Sequence, residues 1–331
     1  MKYSIILPVR NGGDYVKECV HSILSQTLND FNLIVLDNCS TDGTLQWIQS
    51  LHDERIIIYP SNKALTIEEN WARIKDVKKN EFMTIIGHDD LLCSDYLETM
   101  EALIAQHPSA SVYQTHFTYI DAQGNFVRDC MPMAEIQTAA EFLACHMTRT
   151  IDSMGTGYMM RSADYEKQGG IPSHYPNLIF ADYELWIRLC NISYKATSKK
   201  DSFKYRLAFS TSRITNGMQY QQAFEQYVFF INEFMQQNPA IKSTVELHGK
   251  EMLYYYCESL SHRLLKTNFN DRNLSVDDFI NKYIGYAKVL IPGQVFEPMS
   301  KLKIKAASII DNNIILRKLF YLYKKNSSKY I

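Results

Sequence analysis

The chain has 331 residues, of which 46% are hydrophobic and 21% charged, and a formal net charge of -1. That length allows a sizeable core in one large domain or two, and the lack of a domain-wide basic field argues against nucleic acid as the main partner. The charge is unevenly spread. From Lys301 to Ile331 eight Lys or Arg face one acid, Asp311, so this tail carries +7 and residues 1–300 carry -8. The seven cysteines (19, 39, 93, 130, 145, 190 and 257) show no Cys-x-x-Cys spacing. A reducing compartment fits them better than a disulfide framework or a zinc site. Met1-Lys2-Tyr3 enters a strand pattern without signal-peptide character, and no apolar run nears the roughly 18 residues of a membrane span. A cytoplasmic setting is therefore expected.

Tyr3–Leu7 reads as a buried strand ended by Pro8, which lacks the N–H a ladder needs. From Asp14 to Gln26, Tyr15, Val16, Cys19, Val20, Ile23 and Leu24 recur at helical spacing. Phe31–Leu36 is a second strand, Thr41 and Asp42 cap a helix through Leu51, and Arg55–Tyr59 is a third strand. Thr66–Val77 is helical and Phe82–Ile86 is a fourth strand. Strands alternating with helices make βαβ units, hence an α/β fold with a mostly parallel sheet covered on both faces. After Gln106 the pattern loosens. Ser111–His116 and Phe117–Val127 read as strands around the turn Asp121–Gly124, Ala139–Met147 as a helix, Thr156–Met160 as a strand and Asp182–Cys190 as a helix. Residues 217–265 and 275–325 are glycine-poor, rich in Tyr, Phe, Leu and Ile, and without strand alternation. They predict a helical extension.

Chemistry concentrates where strands end. His88-Asp89-Asp90 closes the fourth strand, and in an open α/β sheet that end faces the ligand crevice. Neighbouring carboxylates there are costly unless a cation or donors offset them. A divalent ion, Mg²⁺ or Mn²⁺, bridging a carboxylate to a diphosphate does so. A solvated turn whose aspartate caps the next helix is the alternative. Pro8-Val9-Arg10-Asn11-Gly12-Gly13 leaves the first strand with two glycines that permit close backbone approach. It is not Gly-x-Gly-x-x-Gly, so a dinucleotide reading lacks support. Asp37 ends the second strand, placed to accept from a base or ribose, while Asp42 is explained by capping together with Ser40 and Thr41. In Phe180–Leu189, Leu185, Trp186 and Leu189 face a core. Asp182 opens that helix as either an N-cap or a catalytic carboxylate, and Glu184 lies on another face. His88 reads as a local structural donor. Trp71 and Trp186 read as core, with Trp71 also able to line a sugar pocket, and Arg73 as a helix-surface residue. His116, His146 and His174 have no zinc spacing.

Pro8–Gly12, Ser22–Thr27 and Phe31–Thr44, with the spacing onward to Asp89-Asp90, resemble the start of family 2 glycosyltransferases, which have the GT-A fold. The match is dense over residues 3–100, weaker to about 210 and absent beyond. The resemblance implies a Rossmann-like GT-A domain at 1–215, with a nucleotide-sugar half (1–105) and an acceptor half (106–215), before the helical extension 216–331. It implies that Pro8, Val9 and Asn11 contact the nucleotide, Asp37 the base and Asp89 the ribose or phosphate. Asp90 would ligate Mn²⁺ or Mg²⁺, and Asp182 would serve as general base, with Glu184 second choice. The implied reaction is metal-dependent, inverting transfer of a sugar from a nucleotide donor, expected to be UDP-linked, to a hydroxyl of a saccharide or lipid-linked saccharide. The implied setting is surface-polysaccharide assembly, such as capsule, O-antigen or lipopolysaccharide.

Several positions depart from the family pattern. Gly87 stands where Asp is frequent, Ala181 replaces the first acid of a pair, and Glu68-Glu69-Asn70 replaces Ala-Arg-Asn. Ala208 stands where a histidine often follows a segment like Tyr205-Arg206-Leu207, which leaves a ligand from that segment open, with water able to take the position. A nucleotidyltransferase, the alternative enzyme, predicts a Gly-rich triphosphate loop that is absent. An inactive nucleotide-sugar or membrane-binding module is disfavoured by intact Asp89, Asp90 and Asp182. Residues 301–331 alternate basic residues with Ile309-Ile310, Ile314–Leu316 and Leu319–Leu322. They suit either a helix lying on anionic lipid, making the protein peripheral on the inner leaflet, or a helix packed on its own domain.

Overall fold

Two compact units make up the chain, Met1–Phe142 with Arg149–Arg213, and Leu143–Thr148 with Ile214–Ile331. The computed structural model describes residues 1–207 and 215–327, with side chains to residue 324. Ala208 lies outside the described residues.

The strands are β1 (Tyr3–Val9), β2 (Phe31–Asp37), β3 (Ile56–Ile58), β4 (Phe82–Ile85), β5 (Leu91–Leu92), β6 (Val112–Ile120), β7 (Phe126–Asp129), β8 (Ile136–Gln137), β9 (Tyr158–Arg161) and β10 (Lys195–Arg206). Between them run α1 (Gly13–Leu24), α2 (Thr44–Ser50), α3 (Ile67–Ala72), α4 (Tyr96–Gln106), α5 (Ala139–Thr148), α6 (Ser162–Lys167) and α7 (Ala181–Cys190). The sheet runs β3-β2-β1-β4-β9-β6-β10-β5, with β7 on β6 and β8 on β10. The first four strands pair parallel, as their uninterrupted apolar runs predict. Beyond them the sheet is mixed, because β9 enters antiparallel to both β4 and β6 while β10 runs parallel to β6. All residues of β1 and β2 are buried.

Pro8 does not end β1. The strand continues to Val9, with Pro8 opposite Leu36 and Val9 opposite Asp37. Ile86 N–H donates to Ile6 O and Asn38 N–H to Val9 O, so even-numbered residues of β1 face β4 and odd-numbered ones face β2. The missing N–H of Pro8 therefore falls on the side where β4 has already stopped, and no ladder bond is lost. The expected helix Thr66–Val77 is α3 followed by a 3₁₀ turn, Arg73–Asp76, and its start is fixed by a Thr66/Glu69 capping box. Of β10 only the end, Tyr205-Arg206, resembles a strand in the sequence, because its register jumps twice, around Asp201, and Lys199-Lys200-Asp201 erase the alternation before it.

The second unit is helical, as expected: α8 (Gly217–Gln237), α9 (Pro239–Leu264), α10 (Val276–Leu290), α11 (Leu302–Asn312) and α12 (Ile314–Ser327). Asn216 and Ser275 start α8 and α10 with capping boxes. Phe224 stacks on Tyr283 at 5.1 Å in an aromatic core with Phe279 and Tyr286. Arg272 and Asp311 form a buried ion pair. Among the described residues no helix is long and apolar enough to cross a membrane.

Candidate active site at the carboxyl ends of β1, β2 and β4

Chain order reverses between β1 and β4, and the carboxyl end of such a switch point is where a doubly wound sheet opens a crevice. Asp37, Gly87–Asp90 and the Pro8-Val9 exit all reach that end. Two loops are stitched together there. Asn11 Oδ1 accepts from Thr41 N–H at 2.8 Å, Asn11 N–H donates to Ser40 Oγ at 3.0 Å, and Asp42 Oδ2 accepts from Gly13 N–H at 3.0 Å. Asp42 also accepts from Thr44 N–H, the first residue of α2, although the cap position itself falls on Gly43 (φ 90°) and not on Asp42 as expected. Of the nucleotide contacts expected here, Val9 O and Asn11 Oδ1 are instead engaged by the protein itself, since the αL turn at Asn11 (φ 53°) folds the side chain back on Thr41. By the alternation of β1, the Pro8 carbonyl points past the end of β4.

Asp37, 1% exposed, accepts weakly from Ser40 N–H through Oδ2 (3.3 Å), while Oδ1 is buried with no partner. A buried acceptor left unpaired costs about 1–3 kcal/mol, which a ligand N–H would recover. Arg73 is no surface residue. Half-buried, it donates to the carbonyls of Asp37 (3.1 Å) and Tyr59 (2.6 Å) and to Asn70 Oδ1 (2.8 Å), bracing the end of β2.

The two adjacent aspartates point different ways. Asp90 is 2% exposed, accepts from the Thr156 hydroxyl (2.7 Å) and from Arg206 N–H (3.0 Å), and burial beside the Asp89 charge pushes its carboxyl up to about 8. Asp90, the residue expected to ligate the metal, thus has each oxygen engaged by one donor of the fold, with a further lone pair left on each. Asp89 is half-buried, and among the described residues its carboxylate has no hydrogen bond or ion pair. Its backbone carbonyl accepts from Arg206 Nε at 2.8 Å. Arg206, 1% exposed, spends the rest of its guanidinium on Asp121 O, Ala122 O and Glu18, leaving the carboxylate of Asp89 open. A Cβ on Gly87 would come within 2.9 Å of Asp90 Oδ2 and 3.0 Å of Asp89 Oδ1, so the glycine leaves room for this divergence. His88 makes no hydrogen bond among the described residues, against the local-donor reading.

A short strap links this turn to α7. Met154 O accepts from Trp186 Nε1 (3.0 Å), Thr156 holds Asp90, and Gly157 N–H reaches Ile85 O (3.0 Å). Gly157 needs φ +77°, and a Cβ there would strike the Phe203 ring at 2.8 Å. Between them, a Cβ on Gly155 would lie 3.7 Å from Asp182 Cβ and 3.9 Å from the indole of half-buried Trp71. Asp182 is thus brought beside the strap that holds Asp90. Its Oδ1 accepts from Tyr183 N–H at 2.9 Å, and burial lifts its carboxyl to about 6. Glu184, the second choice for base, is 1% exposed, accepts from Tyr175 OH at 2.5 Å and pairs with Arg188, so it is structural. The contacts that Thr156 and Arg206 make to Asp90 escape sequence reading, although Tyr205-Arg206-Leu207 stands out as a segment of the family pattern and Thr156 opens an expected strand.

Residues 4–166 match the family model described as glycosyl transferase family 2. The amino-terminal half of this chain is a family 2 glycosyltransferase domain. The glycosyltransferase GlyG of Streptococcus pneumoniae serotype 4 is 29% identical over 126 residues, 37% of this chain and 42% of GlyG. The poly(ribitol-phosphate) beta-N-acetylglucosaminyltransferase TarS of Staphylococcus aureus is 27% identical over 114 residues, 33% of this chain and 20% of TarS. The chain thus spans less than half the length of these relatives. The crystal structure of S. aureus TarS 1–349 with UDP-GlcNAc superposes with TM-score 0.68 at 15% identity, covering 98% of this chain and 92% of that one. The mannosyltransferase PcManGT of Pyrobaculum calidifontis, in complex with GDP-Man and Mn²⁺, gives 0.52 at 13%, covering 98% and 88%. At such identity these structures speak for the GT-A fold alone.

Proposed function

We propose that the chain transfers a sugar from a nucleotide donor to an acceptor hydroxyl with inversion at the anomeric carbon, using a divalent cation. The observation that carries this reading is the difference among carboxylates: a buried unpaired acceptor on Asp37, an open carboxylate on Asp89 and a carboxyl raised by burial on Asp182 beside the Asp90 strap. Asp37 Oδ1 would accept an N–H from the nucleobase edge, and the UDP-GlcNAc complex of TarS supports a uridine donor. Among the described residues no three His, Cys, Asp or Glu gather into a metal cage. That fits an Mg²⁺ or Mn²⁺ held by one protein carboxylate, Asp89, and completed by diphosphate oxygens and water. The cation, when bound, offsets charge on the departing nucleoside diphosphate.

Asp182 takes the proton. With Oδ1 held by Tyr183 N–H, Oδ2 is the atom left for the acceptor hydroxyl. As the acceptor oxygen bonds to the anomeric carbon, the bond from that carbon to the diphosphate breaks, and the hydroxyl proton ends on Asp182. A carboxyl near 6 is about nine-tenths ionised at neutral pH, which suits a base. The acceptor is read as a saccharide or lipid-linked saccharide of a surface polysaccharide; relatives named for teichuronic acid biosynthesis and for poly(ribitol-phosphate) glycosylation support that class of acceptor. The discriminating experiment measures UDP-sugar hydrolysis and transfer with Mn²⁺, with Mg²⁺ and with chelator, in wild type and Asp89→Asn. Turnover unaffected by chelator would remove the metal from the scheme. Pyrophosphate release from a nucleoside triphosphate would favour the nucleotidyltransferase, and donor binding without any turnover the inactive module.

A further inference from the structure

The last helix of the second unit is packed with its apolar side outward. In α12 the inward contacts come from Arg317, whose guanidinium lies 3.7 Å from the Phe269 ring centre and donates to Asp311 O at 3.1 Å, and from Phe320, beside His262. On the opposite arc stand Ile315, Leu316, Leu319, Leu322 and Tyr323, all exposed, Ile315 by 66%. Their spacing of three, four and seven makes one continuous stripe. Lys318, also exposed, borders it. Neighbouring α11 repeats the pattern: Ile304 and Ala307 are buried, while Leu302 (84% exposed) and Ile309 stand seven residues apart on the outer face near exposed Lys305. Single exposed leucines need no explanation, but a contiguous stripe of this kind marks an interaction surface.

We infer that this face lies on an anionic lipid surface, with the α12 stripe at the headgroup–acyl boundary and the lysines on lipid phosphates. Charge chooses the occupant. The segment from Lys301 carries +7 against -8 on the rest of the chain. A second copy docked through the same stripe would set exposed Lys305 and Lys318 against like charges, whereas anionic headgroups lower the energy of each. The 14 residues of α12 extend about 21 Å, short of the roughly 30 Å hydrocarbon core, so the helix lies on the bilayer and does not cross it. This inference does not depend on the glycosyl-transfer chemistry.

The test floats the full chain with vesicles of phosphatidylcholine alone and with vesicles in which about a third of the lipid is phosphatidylglycerol. Wild type is expected to float with the anionic vesicles only, and less so as salt rises. The double variant Leu319→Glu/Leu322→Glu, at exposed positions, should lose at least about tenfold in partitioning, and Lys318→Ala about fivefold, with melting temperatures unchanged. Three results would overturn the inference: no flotation at low salt, equal flotation with neutral vesicles, or a wild-type dimer in sedimentation that the double variant converts to monomer without any lipid binding.

Discussion

Replacing Asp182 by Asn should abolish transfer and at the same time stabilise the first unit. Burial raises this carboxyl from 3.8 to about 6, so the folded state favours the protonated form. As pH rises between about 4 and about 6, the unfolded chain releases the proton first and stability falls. Above about 6 the whole penalty is present. The interval corresponds to about 3 kcal/mol at neutral pH. That is an upper figure, because Asn forgoes the charge-assisted bond from Tyr183 N–H and solvent reaching a half-buried site screens the charge. A gain of about 1–2 kcal/mol remains, equivalent to about 2–8 °C in Tm for a unit of this size. Denaturant melts of wild type and Asp182→Asn at about pH 4 and about pH 7.5 isolate the effect, since every other titration cancels in the difference. The variant should match wild type at the acid end and exceed it at the neutral end. Transfer should drop by about 10²–10⁴-fold with donor affinity within about twofold. A variant that is less stable at neutral pH, or equally displaced at both, would refute the assignment of a buried, penalised base.

The neighbouring aspartates separate cleanly. Asp89→Asn should lower metal-dependent turnover by two to three decades, because a bound cation is worth several kcal/mol of charge stabilisation. Asp90→Asn keeps an acceptor for Arg206 N–H, can donate to the reversed Thr156 hydroxyl and removes a carboxyl that burial penalises at neutral pH, so it should leave stability at neutral pH unchanged or higher and leave the Mn²⁺ dependence of donor binding nearly intact; the opposite ranking would restore Asp90 as ligand. Asp37→Ala should weaken donor binding by about 5–150-fold, the price of a base N–H left unpaired, read by calorimetry with the nucleoside diphosphate alone. The pH profile of kcat should fall tenfold per pH unit below about 6, where protonated Asp182 cannot accept, and run level above it; a profile flat down to pH ~4.5 would exclude Asp182 as the group that titrates.

The parallel half of the sheet was legible because β1, β2 and β4 are buried on both faces and therefore read as unbroken apolar runs, so the aspartates that follow them had to sit at the crevice end. Which of two adjacent aspartates turns inward could not be read in the same way. That choice is made with Thr156 and Arg206, which arrive from chain segments 66 and 116 residues away and donate to the two oxygens of Asp90. A sequence displays the two carboxylates as equals; the fold makes one a buried brace and leaves the other half-buried and open. The same limit governs the carboxyl-terminal helix. Its stripe of Ile315, Leu319 and Leu322 is plain in the sequence, but amphipathicity has no sign until something fixes which side meets the body. Here Arg317 over Phe269 and against Asp311 O does so. A guanidinium that stacks on a ring and caps a carbonyl can compete for the inner face with leucines that gain as much from any apolar surface, so the helix turns its stripe outward. Removing that anchor with Arg317→Ala should release the preference and reduce the exposed apolar area, with dye binding to the free protein falling where a purely local role for Arg317 would leave it unchanged.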